Sequence, residues 1–262
     1  MKKINWNYPY IISESKENKI NLVFCHGFNS NHSVFYQLIS KIPGVNYYSF
    51  TLPGCNLTPA EPHQLNMEYY AQEIVRFIKE LNLDEVVLVG HSMGAGNAAL
   101  VYKLIPERIK KIVFIGPMNK ANMPLATLFY NKFFPKTPQE MLDFFTIYEY
   151  DKEKYQDPKW LDWANKVFDY EYFNNENIVQ LGSTLPQYYI MDKIEEGLKE
   201  VKCPAMLILG ERDGIMMKEE TIQYYLSIIE NIRVEVIPYT GHLIYTENEE
   251  GFLQVFKPFL LD

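Results

Sequence analysis

Cysteine is scarce in this 262-residue chain: Cys25, Cys55 and Cys203 form an odd, widely spaced set that builds neither a disulfide framework nor a metal knuckle. Free thiols in a reducing compartment are the expectation. Long apolar runs are also missing. Met1-Lys2-Lys3 is followed by Asn5-Trp6-Asn7-Tyr8-Pro9 rather than by the apolar core of a signal peptide, and no stretch approaches membrane-spanning length. A cytoplasmic protein without stable membrane insertion is expected. No basic cluster occurs, and the formal net charge is −8, which argues against nucleic acid and anionic membrane surfaces as main partners. Neither a P-loop, nor a Gly-x-Gly-x-x-Gly fingerprint, nor metal-ligand spacing is present, so no cofactor and no metal is implied. Internal repeats and low-complexity tracts are absent as well. What remains as a partner is a small molecule, and a homodimer is left open.

What is there is ordinary globular material, 47% hydrophobic and 22% charged, with abundant tyrosine (20) and phenylalanine (16). Those aromatics fill a core and surface, or line an apolar pocket. The most informative stretch runs from Glu85 to Ala99. Val86-Val87-Leu88-Val89 reads as a buried strand, Gly90-His91-Ser92-Met93-Gly94 as a sharp turn, and Ala95-Gly96-Asn97-Ala98-Ala99 as the start of a helix. So tight a turn holds its serine in a strained backbone conformation. Side chains two positions either side would collide with neighbouring backbone, and Gly90 and Gly94 carry none. Ser92 then stands at a helix N-terminus, where unpaired N–H groups favour developing negative charge.

Around this stretch strands and helices alternate. Residues 4–14 are expected to give one or two edge strands, and Lys16-Glu17-Asn18 a turn. Residues 20–25 form a strand ending at His26-Gly27-Phe28; residues 33–41 form a helix from the spacing of Val34, Leu38 and Ile42. A strand over 45–52, an amphipathic helix over 66–81, a helix from the elbow to Leu104 and a strand at 111–115 follow. Between 118 and 195 the pattern becomes helical and dense in aromatics, with helical spacing over 138–149 and 158–170. Alternation then resumes, with a strand at 205–210, a helix over 218–230, a strand at 233–237 and a closing helix over 247–261. Such alternation predicts an α/β class fold with a doubly wound, mostly parallel sheet flanked by helices. The reactive loops of such a sheet lie at the carboxyl ends of its strands. The expected organisation is a core of residues 1–117 and 196–262, with a helical cap, residues 118–195, inserted after the sixth strand.

Four features together resemble the α/β-hydrolase superfamily, its capped serine esterase, lipase and peptidase branch. They are His26-Gly27-Phe28 after an early strand, Gly90-His91-Ser92-Met93-Gly94, Gly210-Glu211-Arg212-Asp213 after a late strand, and Gly241-His242 near the C-terminus. The order Ser, Asp, His is that family's order. The likeness covers nearly the whole chain except the cap. A serine needs a base within hydrogen-bond reach, and the base an orienting group. Of the five histidines, His26 and His91 belong to turns, with structural roles; His32 and His63 lie in polar loops and are expected to be exposed. His242 is the general base. The acid in this family follows either of two late strands: Gly116-Pro117-Met118-Asn119 offers no carboxylate, so Asp213 is assigned, with Glu211 as the nearby alternative. The resemblance assigns the oxyanion hole to the backbone N–H groups of Phe28 and Met93.

A serine nucleophile weighs against the family's dehalogenases and epoxide hydrolases, which use a carboxylate. The expected activity is hydrolysis of a carboxylic ester with a small apolar acyl group through an acyl-enzyme, as in a carboxylesterase or small lipase. The same triad would serve an aminopeptidase, a thioesterase, a carbon–carbon bond hydrolase or a cofactor-free perhydrolase, and the same fold a non-catalytic small-molecule binder. An aminopeptidase would want acidic cap residues at the pocket, for which Glu140, Asp143, Glu149, Asp151 and Glu153 are the candidates.

Overall fold

Strand Val86–His91 is buried along its whole length, and the strands beside it over most of theirs, because helices cover both faces of the sheet. The computed structural model describes residues 4–17 and 20–262. Met1-Lys2-Lys3 and Asn18, the last residue of the turn expected at 16–18, lie outside them. The strands are β1 (Tyr10–Ser13), β2 (Ile20–Cys25), β3 (Val45–Phe50), β4 (Val86–His91), β5 (Ile109–Ile115), β6 (Ala205–Gly210) and β7 (Ile232–Ile237). They form a seven-stranded sheet in the order β1-β3-β2-β4-β5-β6-β7. Only β1 runs antiparallel to its neighbour. This is the α/β-hydrolase fold.

The helices before the long helical segment are α1 (Tyr36–Ile39), α2 (Met67–Glu80) and α3 (Met93–Leu104). The segment itself holds α4 (Ala126–Lys132), α5 (Pro138–Tyr148), α6 (Pro158–Val167), α7 (Tyr170–Asn174), α8 (Glu176–Thr184) and α9 (Tyr188–Glu200). After it come α10 (Lys218–Ile228), α11 (Ile244–Glu247) and α12 (Glu249–Leu261). Helix α2 begins where Asn66 accepts from the Tyr69 N–H, a cap worth about 1 kcal/mol. Caps of the same kind start α5 at Thr137 and α6 at Asp157, each followed by proline in the first turn.

Two apolar layers sandwich the sheet. One lies under α2, α3, α8 and α9 and includes Tyr70, Phe77, Leu88, Val101, Ile178 and Ile194. The other lies under α1, α11 and α12, where Phe35 stacks on Phe24 and meets Phe252 and Phe256 edge-on. A third, small cluster of Met141, Leu142 and Ala164 sits between α5 and α6.

Three expectations change. Of the one or two strands expected over residues 4–14 one forms, β1, because Trp6 and Tyr8 turn into the core beside Phe50 instead of pairing along a ladder. The helical segment therefore follows the fifth strand, not the sixth. The helix expected over 33–41 is a single turn, α1: Leu38 and Ile42 are buried, but Val34 is exposed and adds no apolar anchor. The limit drawn at residue 195 falls inside α9, whose Gly197 lies so close to α3 that a side chain there would meet the Ala99 carbonyl. Among the described residues no helix is long and apolar enough to cross a membrane.

Candidate active site

The turn after β4 holds Ser92 at φ 56°, ψ −121°, outside the regions comfortable for a residue with a side chain. Such a conformation costs on the order of 1–3 kcal/mol and persists only where its surroundings dictate it. They do so here. A side chain at Gly90 would run into the backbone of Gly94 and Ala95, and one at Gly94 into the carbonyls of Cys25 and His26. Helix α3 is thereby pressed against β2, and the Ser92 N–H donates to the Ile115 carbonyl at 2.9 Å.

The loops after β2, β6 and β7 meet this turn. His242 lies beyond β7, buried, and its Nδ1–H donates to Asp213 Oδ2 at 2.6 Å. Asp213, in the loop after β6, also accepts from the Ile215 N–H at 3.0 Å. With its proton on Nδ1, the imidazole presents Nε2 as an acceptor, and Nε2 is buried without a partner among the described residues. Ser92 shares two cavity walls with His242, but its hydroxyl makes no hydrogen bond to it. Catalytic hydrogen bonds are often loose without substrate and close in the bound complex. Gly116, at φ +49°, makes room for the imidazole: a side chain there would stand 3.1 Å from His242 Cε1.

The remaining histidines divide by position. His91 Nε2–H donates to the His242 carbonyl at 3.0 Å, and burial, with His242 alongside, pushes its pKa down to about 3. His26 Nδ1–H donates to the Gly27 carbonyl and its Nε2 accepts from the Leu52 N–H, at 2.8 and 2.9 Å. Burial lowers its pKa to about 4. Both rings are neutral struts, as expected of them. His63 is exposed. His32 is not: it is half-buried and bonded through Nδ1 to Thr51 Oγ1 at 2.7 Å, a contact across 19 residues with no local signature. Glu211 turns away from the site and accepts from the Tyr239 N–H at 2.8 Å.

Phe28 and Met93 line the same cavity as Ser92, and neither backbone N–H has a hydrogen-bond partner among the described residues. The Phe28 ring packs edge-on against Phe129 and Phe134.

Several contacts have no sequence signature because their partners are far apart in the chain. The His242 N–H donates to the Tyr148 carbonyl at 2.7 Å and the Gly214 N–H to the Ile147 carbonyl at 3.0 Å, so the end of α5 holds both late loops. Glu247 accepts from the Gly241 N–H and the Tyr150 N–H, each at 2.7 Å. Tyr172 and Asn29 bond each other reciprocally.

Two cavities open at the serine, and Phe28, Ser92, Phe133 and His242 belong to both. The smaller encloses about 90 Å³ and is walled mainly by methionine, leucine and phenylalanine. The larger encloses about 530 Å³ and mixes aromatic rings with hydroxyl and amide groups. No Asp or Glu among the described residues lines either one.

Residues 20–149 match a family model described as the alpha/beta hydrolase fold. The chain is 25% identical over 249 residues to a Mycoplasma pneumoniae protein named "Putative esterase/lipase 3", covering 94% of this chain and 88% of that one. It is 24% identical to a proline iminopeptidase of Heyndrickxia coagulans, with 79% and 78% of the two chains covered. Among solved structures it resembles an esterase from Exiguobacterium antarcticum, with a TM-score of 0.70 at 17% identity over 97% of this chain and 94% of that one.

Proposed function

The chain belongs to the α/β-hydrolase superfamily, and we propose that it is a serine hydrolase that cleaves carboxylic esters of small apolar acyl groups. The observation that carries this reading is the buried pair of His242 and Asp213, which leaves Nε2 without a partner among the described residues in a histidine that lines the same cavities as Ser92.

Ser92 Oγ attacks the ester carbonyl carbon as its proton passes to His242 Nε2. Asp213 keeps the ring in the Nδ1–H tautomer and stabilises the imidazolium. The carbonyl oxygen becomes an oxyanion, which in this reading the unpaired N–H groups of Phe28 and Met93 receive. One such donor is typically worth on the order of 10²–10³ in kcat. The carbon–oxygen bond to the alcohol then breaks, and the imidazolium returns its proton to the departing oxygen. Water repeats the sequence on the acyl-enzyme: its proton goes to Nε2, its oxygen to the carbonyl carbon, and Ser92 regains its hydrogen as the acid leaves.

The helical segment between β5 and α9 serves as a cap in this reading. Phe129, Phe133, Leu185 and Pro186 roof the smaller cavity. Its narrow, apolar interior suits a short acyl chain. The aminopeptidase alternative is less well supported. Glu149 pairs with Lys154, Asp143 with Lys132, and Glu140 accepts from the Lys136 N–H, so these carboxylates serve the cap's own structure.

Ser92→Ala should abolish turnover of p-nitrophenyl butyrate with the circular dichroism spectrum unchanged. Retained turnover would overturn the reading, and faster cleavage of aminoacyl anilides than of simple esters would move it to a peptidase.

A further inference from the structure

The two cavities differ in one respect beyond size: whether their polar groups are already spoken for. In the smaller one the polar side chain away from the reacting centre is Asn122, and it is engaged. Its Nδ2 donates to the Pro117 carbonyl at 3.2 Å and its Oδ1 accepts from the Met217 N–H at 2.8 Å. A ligand there meets a surface with little left to offer but apolar contact.

The larger cavity is mixed: the side chains of Asn29, Ser33 and Tyr172 are engaged, and others are not. The hydroxyls of Ser30 and Thr246, the amide of Gln37 and the phenol of Tyr148 line it, and none has a hydrogen-bond partner among the described residues. Hydroxyl and amide groups without a protein partner bond water, and a ligand that displaces such water must replace its bonds or lose affinity. Aliphatic alcohols cannot; an alcohol bearing several hydroxyls can. The wall also includes Phe144 and Tyr172, whose rings supply apolar surface suited to the C–H groups of such a molecule. No Asp, Glu, Lys or Arg among the described residues lines the cavity, so the complementary ligand is uncharged.

Resting on the serine-hydrolase reading, we propose that the larger cavity is the leaving-group site and takes a neutral polyol, so that the substrate is a short-chain acyl ester of a polyhydroxylated alcohol. The acyl chain occupies the smaller cavity. The polyol carries the ester oxygen to His242, which protonates it as the carbon–oxygen bond breaks. Glycerol and sugars share the required chemistry.

The test holds the acyl group constant. Hydrolysis of 1-monobutyrin, 6-O-butyryl-glucose and hexyl butyrate is compared in the wild type and in the double variant Gln37→Leu, Thr246→Val. The wild type should favour one or both polyol esters over hexyl butyrate by tenfold or more in kcat/KM, with the better of the two identifying the polyol. In the variant that ratio should fall about tenfold, the scale of one or two ordinary hydrogen bonds. Because the ratio is taken within one protein, it does not depend on the fraction folded. Equal or better cleavage of hexyl butyrate by the wild type, or a ratio that survives the double substitution, overturns the proposal. A wild type that leaves p-nitrophenyl butyrate and all three esters intact fails at the earlier step: the serine-hydrolase reading falls, and this assignment falls with it.

Discussion

Tyr172 and Asn29 hold each other by two hydrogen bonds across 143 residues: the phenol donates to the Asn29 carbonyl and the Asn29 amide donates to the Tyr172 carbonyl, each at 2.7 Å. Asn29 directly follows Phe28, sits at φ 48°, and accepts from the Asn56 N–H at 3.0 Å. The backbone donor at Phe28 is therefore positioned by a tyrosine of α7. Tyr172→Phe removes one of the two bonds, and a net worth of about 1 kcal/mol translates to a five- to tenfold loss. That loss is expected in kcat with KM little changed, together with a matching loss of affinity for a boronic acid that mimics the tetrahedral intermediate. Unchanged boronate affinity would reduce Tyr172 to a packing residue.

Glu247 performs a similar service for the histidine loop. One carboxylate oxygen takes the Gly241 N–H and the other the Tyr150 N–H. In Glu247→Gln one of those N–H groups faces an amide N–H₂ instead of an acceptor, leaving a donor unpaired at a cost of about 1–3 kcal/mol. Lower kcat and a fall of several degrees in the unfolding midpoint are expected, read by ester assay and calorimetry. A variant with wild-type kcat would show that the loop holds its own shape.

Gly116→Ala probes the space behind the imidazole. The new methyl would sit at φ +49° and 3.1 Å from His242 Cε1. About 1 kcal/mol of stability should be lost to the left-handed backbone alone. Displacement of the ring should cost kcat more than the stability loss explains, and wild-type turnover at full folding would contradict the placement of His242.

Acid should weaken the fold through His26. Its folded pKa lies near 4 against an ordinary 6.5, because burial disfavours the charge. Between those values the unfolded chain binds a proton that the folded chain does not, so this contribution to stability is intact above about pH 6.5 and is lost progressively down to about pH 4. His26→Gln can keep a donor and an acceptor without titrating. Urea midpoints measured at pH 7 and pH 5 should fall less in the variant than in the wild type; an equal fall would assign the acid sensitivity elsewhere.

What the sequence made legible was local. The apolar run into Gly90-His91-Ser92-Met93-Gly94 defines β4, the strained serine and α3 within fifteen residues, and steric necessity explains both glycines. Asp213 and His242 could be ranked by elimination, since few acids and histidines follow the late strands. The edge of the sheet was harder. Trp6 and Tyr8 alternate like strand residues but are drawn into the core by Phe50 and Phe77, and no count of alternation reveals that. His32 was misjudged for the same reason: a polar loop residue becomes half-buried when Thr51 stands beside it. The contacts of Tyr172 with Asn29, of Glu247 with Tyr150 and of the end of α5 with the two late loops join residues 67 or more positions apart, with no periodicity to mark them.

The most direct measurement of the central claim is the mass of the protein after brief mixing with p-nitrophenyl butyrate, followed by acid quench and peptide mapping. The wild type should carry a butyryl group on Ser92, lost over time as the acyl-enzyme hydrolyses, and His242→Ala should show neither the burst nor the label. A butyryl group on another residue, or turnover without any covalent species at Ser92 under conditions where deacylation is slowed, would contradict the account.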